Sequence, residues 1–164
     1  METWFVCFQR KALIKSSFFI CLLFSGAVCN SAGSEFSSRP YKGKCYYLSA
    51  FSPRNYEEAN SYCEKLGGYL AELDDWDELR FAQSVVMSSD RDIVYIAGSD
   101  RAQEGRWVFP RTGKAMWVFD WKVNEPNNLD NVENCVHLWK SYNAKMNDYI
   151  CEFTKQKSYF LCEV

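Results

Sequence analysis

The sequence predicts an α+β domain stapled by disulfides and preceded by a short leader. Three observations carry this prediction. Two stretches in the first half repeat apolar residues at helical spacing. Short aromatic and β-branched runs alternate with them and return near the carboxyl end. Five cysteines, Cys45, Cys63, Cys135, Cys151 and Cys162, are spread through the part beyond the leader. At 164 residues, one domain is the natural count.

The elements follow in order. Arg10, Lys11 and Lys15 precede an apolar run from Phe18 to Val28, and small residues come next, which is the order of a secretory signal peptide. Residues 1–29 are read as that peptide, cleaved after Ala27 or Cys29. A signal anchor is the alternative, but the run falls short of the about 20 apolar residues a span needs. Removing the leader takes away three cations and one anion, Glu2, and moves the formal net charge from −2 to −4. With no basic cluster, nucleic acid and anionic membrane are excluded as main partners.

Residues 30–40 are small and polar and read as a flexible amino terminus. Lys44–Leu48 has the aromatic content of a first strand. Ser52-Pro53 predicts a helix start, with Tyr56, Ala59, Cys63 and Leu66 on one face and Gly67-Gly68 at its end. Tyr69–Leu73 alternates as a strand. Asp74 predicts the cap of a second helix, whose apolar stripe is Leu79, Ala82, Val85 and Val86. Ile93–Gly98 reads as a buried strand.

Residues 99–134 are dominated by turn formers, broken only by Trp107–Phe109 and Met116–Trp121. So long an irregular stretch in a compact domain is usually functional. Three closing strands are expected at Val136–Trp139, Lys145–Ile150 and Ser158–Glu163. The cysteine spacings do not suit zinc, because no C-x2-C pair exists and His137 is the only histidine. Disulfides are favoured by export, and the odd number leaves one thiol that is free, bridges two chains, or pairs with Cys29. His137 lies in an alternating strand and reads as structural. Trp107, Trp117, Trp121 and Trp139 read as core, and no nucleophile has a base and orienter near it in sequence.

The stretch Val123–Cys135 holds Glu125, Glu133, Asp130, five asparagines and Pro126. Oxygen donors at this density suit calcium, which takes six to eight oxygen ligands. Asn, Asp and Pro also build ordinary exposed turns, and the loop alone does not separate the two.

Taken together, the residues resemble the C-type lectin-like domain family over 41–164. The carriers are Cys63, Gly68–Leu73, Tyr95–Asp100, Gly105-Arg106-Trp107, Glu125-Pro126-Asn127, Glu133-Asn134-Cys135, Asn147-Asp148, Cys151 and Cys162. The resemblance implies the C-type lectin-like fold with a long calcium-binding loop region, and bridges Cys63–Cys162 and Cys135–Cys151. It makes Cys45 the odd thiol and a possible link in a disulfide-bonded homo-oligomer.

The resemblance further implies that Glu125, Asn127, Glu133, Asn147 and Asp148 hold Ca2+ and the sugar, with Pro126 cis. Two vicinal hydroxyls would coordinate the ion, accept from Asn127 or Asn147, and donate to Glu125 or Glu133. The order Glu-Pro-Asn resembles members preferring mannose, N-acetylglucosamine and fucose. The expected function is thus a secreted, non-enzymatic, calcium-dependent lectin for mannose-type glycans on glycoproteins or microbial surfaces, in pattern recognition or agglutination. The alternative is a domain of this family that binds a protein, with calcium structural or absent.

Two departures stand out. Met146 replaces a frequent tryptophan, and methionine fills irregular space well. Asn128 and Asn134 offer amides where members with an auxiliary calcium carry acids, which makes a second ion doubtful even with Asp100 and Glu104 nearby. Leu129 is a candidate contact for the sugar face.

Overall fold

The computed structural model describes residues 5–9, 19–23, 29, 33–152 and 156–164, with the backbone alone for the first two stretches. Phe5–Gln9 (β1) and Phe19–Leu23 (β2) pair antiparallel as a separate two-stranded sheet. The remaining expectation for the leader lies outside the described residues.

The domain is built on a seven-stranded sheet. Its strands are Phe36–Tyr41 (β3), Lys44–Ser49 (β4), Tyr69–Leu70 (β5), Ile93–Ser99 (β6), Cys135–Trp139 (β7), Lys145–Tyr149 (β8) and Tyr159–Glu163 (β9). They run in the order β3-β4-β9-β6-β7-β8, with β5 beside β9. Only the β6–β9 contact is parallel. The last strand thus returns to the middle of the sheet and joins the first strands to the loop-bearing ones. Its Tyr159–Glu163 run is buried throughout.

Tyr56–Lys65 (α1) and Trp76–Met87 (α2) form at the expected places, and their predicted stripes are buried except for Leu66, which falls at the α1 C-cap and is half-buried. The caps differ from expectation. Asn55 rather than Ser52 caps α1, accepting from Glu58 N–H at 2.8 Å, and Ser52 accepts instead from Ser158 N–H. Asp75 rather than Asp74 caps α2, accepting from Glu78 N–H at 2.8 Å, while Glu78 returns a bond to Asp74 N–H at 3.0 Å. In both cases the residue that wins sits three positions before a glutamate, where its side chain reaches the third helical N–H. Gly68 lets α1 close on β9, since a Cβ there would stand 2.0 Å from the Glu163 carbonyl oxygen.

Residues 33–40 depart from the expectation of a flexible amino terminus. Gly33–Glu35 form a 3-10 turn, and Phe36–Tyr41 pair with β4 as an edge strand. Ser37, Arg39 and Pro40 are exposed, while Phe36 packs against Tyr47, Phe51 and Phe160. At the other end of the strand Tyr41 stacks on Phe81, with centroids 4.2 Å apart, so aromatic contacts at both ends hold a segment whose composition alone describes it as flexible.

Both implied bridges are present, Cys63–Cys162 and Cys135–Cys151. The first spans 99 residues, a closure that loop entropy values at roughly 4.7 kcal/mol. Cys45 is not odd: it is bonded to Cys29, and the described residues include no free cysteine. Of the three fates left open for that thiol, pairing with Cys29 is the one observed, and the expectation of a chain-to-chain link through Cys45 is corrected accordingly. The partner lies in the leader as drawn at 1–29, which is why the count of the folded part came out odd.

His137 is buried among the rings of Tyr95, Trp139 and Tyr149, and neither nitrogen has a hydrogen-bond partner among the described residues. Burial pushes its imidazole down to about 3, so it stays neutral and serves as packing. Of the four tryptophans expected in the core, Trp107 is buried and Trp121 and Trp139 are half-buried. Trp117 is 78% exposed, because Met116 and Val118 on either side of it point inward.

Candidate functional site

The Val123–Cys135 loop is stitched to β8 at both ends. At its entry, Lys122 N–H donates to Met146 O and Met146 N–H to Asp120 O, both at 2.8 Å; at its exit, Asn134 N–H donates to Tyr149 O at 3.0 Å. These bonds bracket Asn147 and Asp148. The loop and the Asn-Asp pair, separate in sequence, are thereby held against one another, with the Cys135–Cys151 bridge at the base.

Within the loop the Glu125–Pro126 peptide is cis, as expected. Asp148 acts first as a backbone clamp, accepting from Asn127 N–H at 3.2 Å and Asn128 N–H at 2.7 Å, one on each oxygen. Glu133 accepts from Leu129 N–H at 3.0 Å, and its own N–H donates to Asn128 Oδ1 at 3.1 Å. The Asn127 amide donates to Glu125 Oε2, and the Asn147 amide donates to the Asp148 carbonyl. All five predicted residues therefore belong to one connected network. Glu133, Asn147 and Asp148 are buried in it.

Asn124, Asn128, Asp130 and Asn131 all adopt left-handed backbone angles, with φ between 45° and 71°. Asparagine and aspartate tolerate that region better than other non-glycine residues. The plain reading of the loop as turn chemistry thus accounts for Asn124, Asp130 and Asn131. It does not account for Glu125, Asn127 and Glu133.

Lys122 joins the site without having been expected there, and Asp100 and Glu104, weighed before only for a second ion, flank it. Lys122 Nζ meets Glu125 Oε1 at 2.6 Å, a pairing legible only as an i, i+3 coincidence. Glu104 accepts from the Asn128 amide, and Asp100 accepts from Gly105 N–H at 2.9 Å.

The electrostatics favour a cation. Burial pushes the Glu133 carboxyl up, and the Asp148, Glu125 and Asp130 carboxylates push it further. Burial likewise raises Asp100, aided by Asp148, and Glu104 is raised by slight desolvation and then by Asp100 and Asp148. Asn147 Oδ1 and Asp100 Oδ1 are buried oxygens without a hydrogen-bond partner among the described residues. Such atoms are costly unless something binds them. Oxygen-only donors, mutual repulsion and orphaned acceptors together fit a hard cation. Among the described residues no group of three or more His, Cys, Asp or Glu is by itself arranged to hold a metal, so the amides are integral to the fit.

The family model of the C-type lectin domain matches residues 52–164. A perlucin-like protein of Mytilus galloprovincialis is 30% identical over 125 residues, covering 74% of this chain and 77% of its own. The mouse scavenger receptor C-type lectin carbohydrate-recognition domain superposes with a TM-score of 0.67 at 25% identity, over 77% of this chain and 92% of that one. A calcium-independent type II antifreeze protein shares the fold, with a TM-score of 0.65 at 20% identity over 84% of this chain and 94% of that one. The matched family model, covering both helices, the long loop and both implied bridges, establishes that this chain belongs to the C-type lectin domain family.

Proposed function

We propose that the chain is a secreted, calcium-dependent lectin for mannose-type sugars, with Glu125, Asn127, Glu133, Asn147 and Asp148 holding the ion and the sugar. The observation that carries this reading is the orphaned Asn147 oxygen beside the uncompensated Glu133 and Asp148 carboxylates. Calcium, when bound, supplies the charge that these oxygens lack and open coordination positions for hydroxyls. The chain's own part is orientation. Asn127 and Asn147 supply N–H donors and Glu125 and Glu133 supply acceptors, so each of two vicinal hydroxyls finds both kinds of partner. Asp148 keeps the loop backbone in place through Asn127 and Asn128. In this reading binding is coordination and hydrogen bonding, with no bond made or broken in the sugar.

The oxidised protein is expected to be retained on mannan-agarose in calcium and released by chelator or free mannose. Failure to bind any glycan on an array would sink the reading. A protein-binding, calcium-independent role is the second reading, favoured by the Lys122 amine that already neutralises Glu125 from within. Calcium titration separates the two. Export is proposed from the leader, and among the described residues no helix is long and apolar enough to cross a membrane. Cleavage after Ala27 keeps Cys29 on the exported chain and with it the Cys29–Cys45 bridge; an exported protein that runs as a monomer on a nonreducing gel and has no free thiol is the expected result.

A further inference from the structure

Beside the Glu125 end of the loop lies an aromatic surface that the calcium and sugar assignment leaves unused. Tyr142 ends the short 3-10 turn Lys140–Tyr142 after β7 and is 46% exposed. Its ring meets that of Trp139 edge-on, with centroids 4.4 Å apart. Lys122 Nζ stands 5.2 Å from the Tyr142 centroid and 5.9 Å from that of Trp139 while it bonds Glu125 Oε1 at 2.6 Å. The shared amine keeps the Tyr142 ring centre within about 8 Å of that carboxylate oxygen, the sum of its two contacts.

The turn is rigid. Asp92 accepts from Ser141 N–H at 2.9 Å, Ser141 O–H at 2.6 Å and Trp139 Nε1–H at 3.1 Å, and its carbonyl accepts from Lys140 N–H at 2.7 Å. The ring is thus presented at little entropic cost on binding.

We propose that Tyr142, backed by Trp139 and Lys122, is a platform for a second pyranose linked to the one held at Glu125, so that the site selects an oligosaccharide over a monosaccharide. The inference rests on the sugar-binding reading of the Glu125 site. A pyranose has an apolar C–H face and a polar rim, and a half-exposed tyrosine beside an amine matches both. Lys122 has three N–H donors, of which Glu125 and the Val123 carbonyl engage two, leaving one for a hydroxyl of the second ring. The Glu133 end offers the aliphatic Leu129 and Val132, 61% and 48% exposed, and the Leu129 backbone N–H is already spent on Glu133. The extension therefore runs from Glu125 toward Tyr142.

The test compares methyl α-mannoside with the methyl mannobiosides of each α linkage, by calorimetry on the oxidised full chain in saturating calcium. Wild type is expected to prefer at least one disaccharide by about three- to tenfold, the range of one aromatic contact. Tyr142→Ala should bring that ratio near one, Tyr142→Phe should keep most of it, and the disaccharide should shift the Tyr142 ring protons in NMR spectra. The calcium Kd measured without sugar reports whether each variant still folds. A ratio unchanged in Tyr142→Ala, or one lost in Leu129→Ala instead, overturns the platform, as does a wild type that binds both sugars equally. A wild type that binds neither sugar overturns the lectin reading itself.

Discussion

The molecule buries carboxylates in two regions and treats them in opposite ways. Under the helices, Glu78 and Glu163 share Lys44, whose amine lies 2.6 Å and 2.7 Å from them. Tyr46 O–H donates to Glu78 and Tyr69 O–H to Glu163, while Glu72 is held in a fork by Arg111, itself stacked on Tyr69. Under the long loop, Glu133, Asp148 and Asp100 are buried with Glu104 exposed at their edge, Asp148 repels each of the other three, and two buried oxygens have no hydrogen-bond partner among the described residues. Charge that is neutralised from within makes scaffold; charge left to an outside ion makes a site.

That contrast can be broken by experiment. The largest effect is expected for Lys44→Met, which leaves Glu78 and Glu163 buried without a counter-charge. A loss of about 3 kcal/mol in urea unfolding is expected, at the low end for a buried pair because the Lys44 amine is partly exposed and screened. A cost below about 1 kcal/mol would show that the tyrosines alone suffice. The Lys44 ammonium is held above its ordinary value by those two carboxylates, against its own desolvation. Its contribution is therefore complete below pH 10.5 and is lost only as pH rises past its folded value.

Calcium should act almost as strongly on the other region. At a hundred times its Kd, a bound ion stabilises by about 2.7 kcal/mol, read as a rise in the unfolding midpoint. Glu133→Gln should remove most of that rise while Glu72→Gln leaves it, and an equal loss in both would erase the distinction between the regions.

A smaller effect concerns pH without calcium. The Glu133 carboxyl is raised above 4.5 in the folded chain, so its charge opposes folding at neutral pH. The penalty is relieved as pH falls through the folded value toward 4.5. In chelator, Glu133→Gln should be more stable than wild type at pH 7 by roughly 1 kcal/mol, the scale on which a folded environment usually acts on a carboxyl. The gap should close near pH 4, followed by urea unfolding across that range. A gap that widens on acidification would mean that Glu133 has a cation within the chain.

The smallest effect is expected where turn chemistry explains the residue. Asn124→Gly and Asn131→Gly keep the left-handed backbone and should change the calcium Kd by less than about twofold, whereas Asn147→Ala should abolish binding. Calorimetric titration with calcium checks both.

By itself the sequence determined the two helices and their buried stripes, the closing strands, the pairing of Cys63 with Cys162 and Cys135 with Cys151 through the resemblance, and the five residues of the candidate site. The helices, stripes and strands are local periodicities, legible without knowing what lies opposite, whereas the cysteine pairing and the five site residues came only from the resemblance to the family. Only the tertiary structure decided which of two nearby polar residues caps each helix, that Phe36 draws a polar segment into the sheet, and that Trp117 faces solvent. It also decided that Cys45 closes on Cys29, that Asp148 clamps the loop backbone, and that Lys122 links Glu125 to Tyr142. Each of these depends on a partner from another element, and a partner's distance follows from the packing of the whole core rather than from the spacing of residues along the chain.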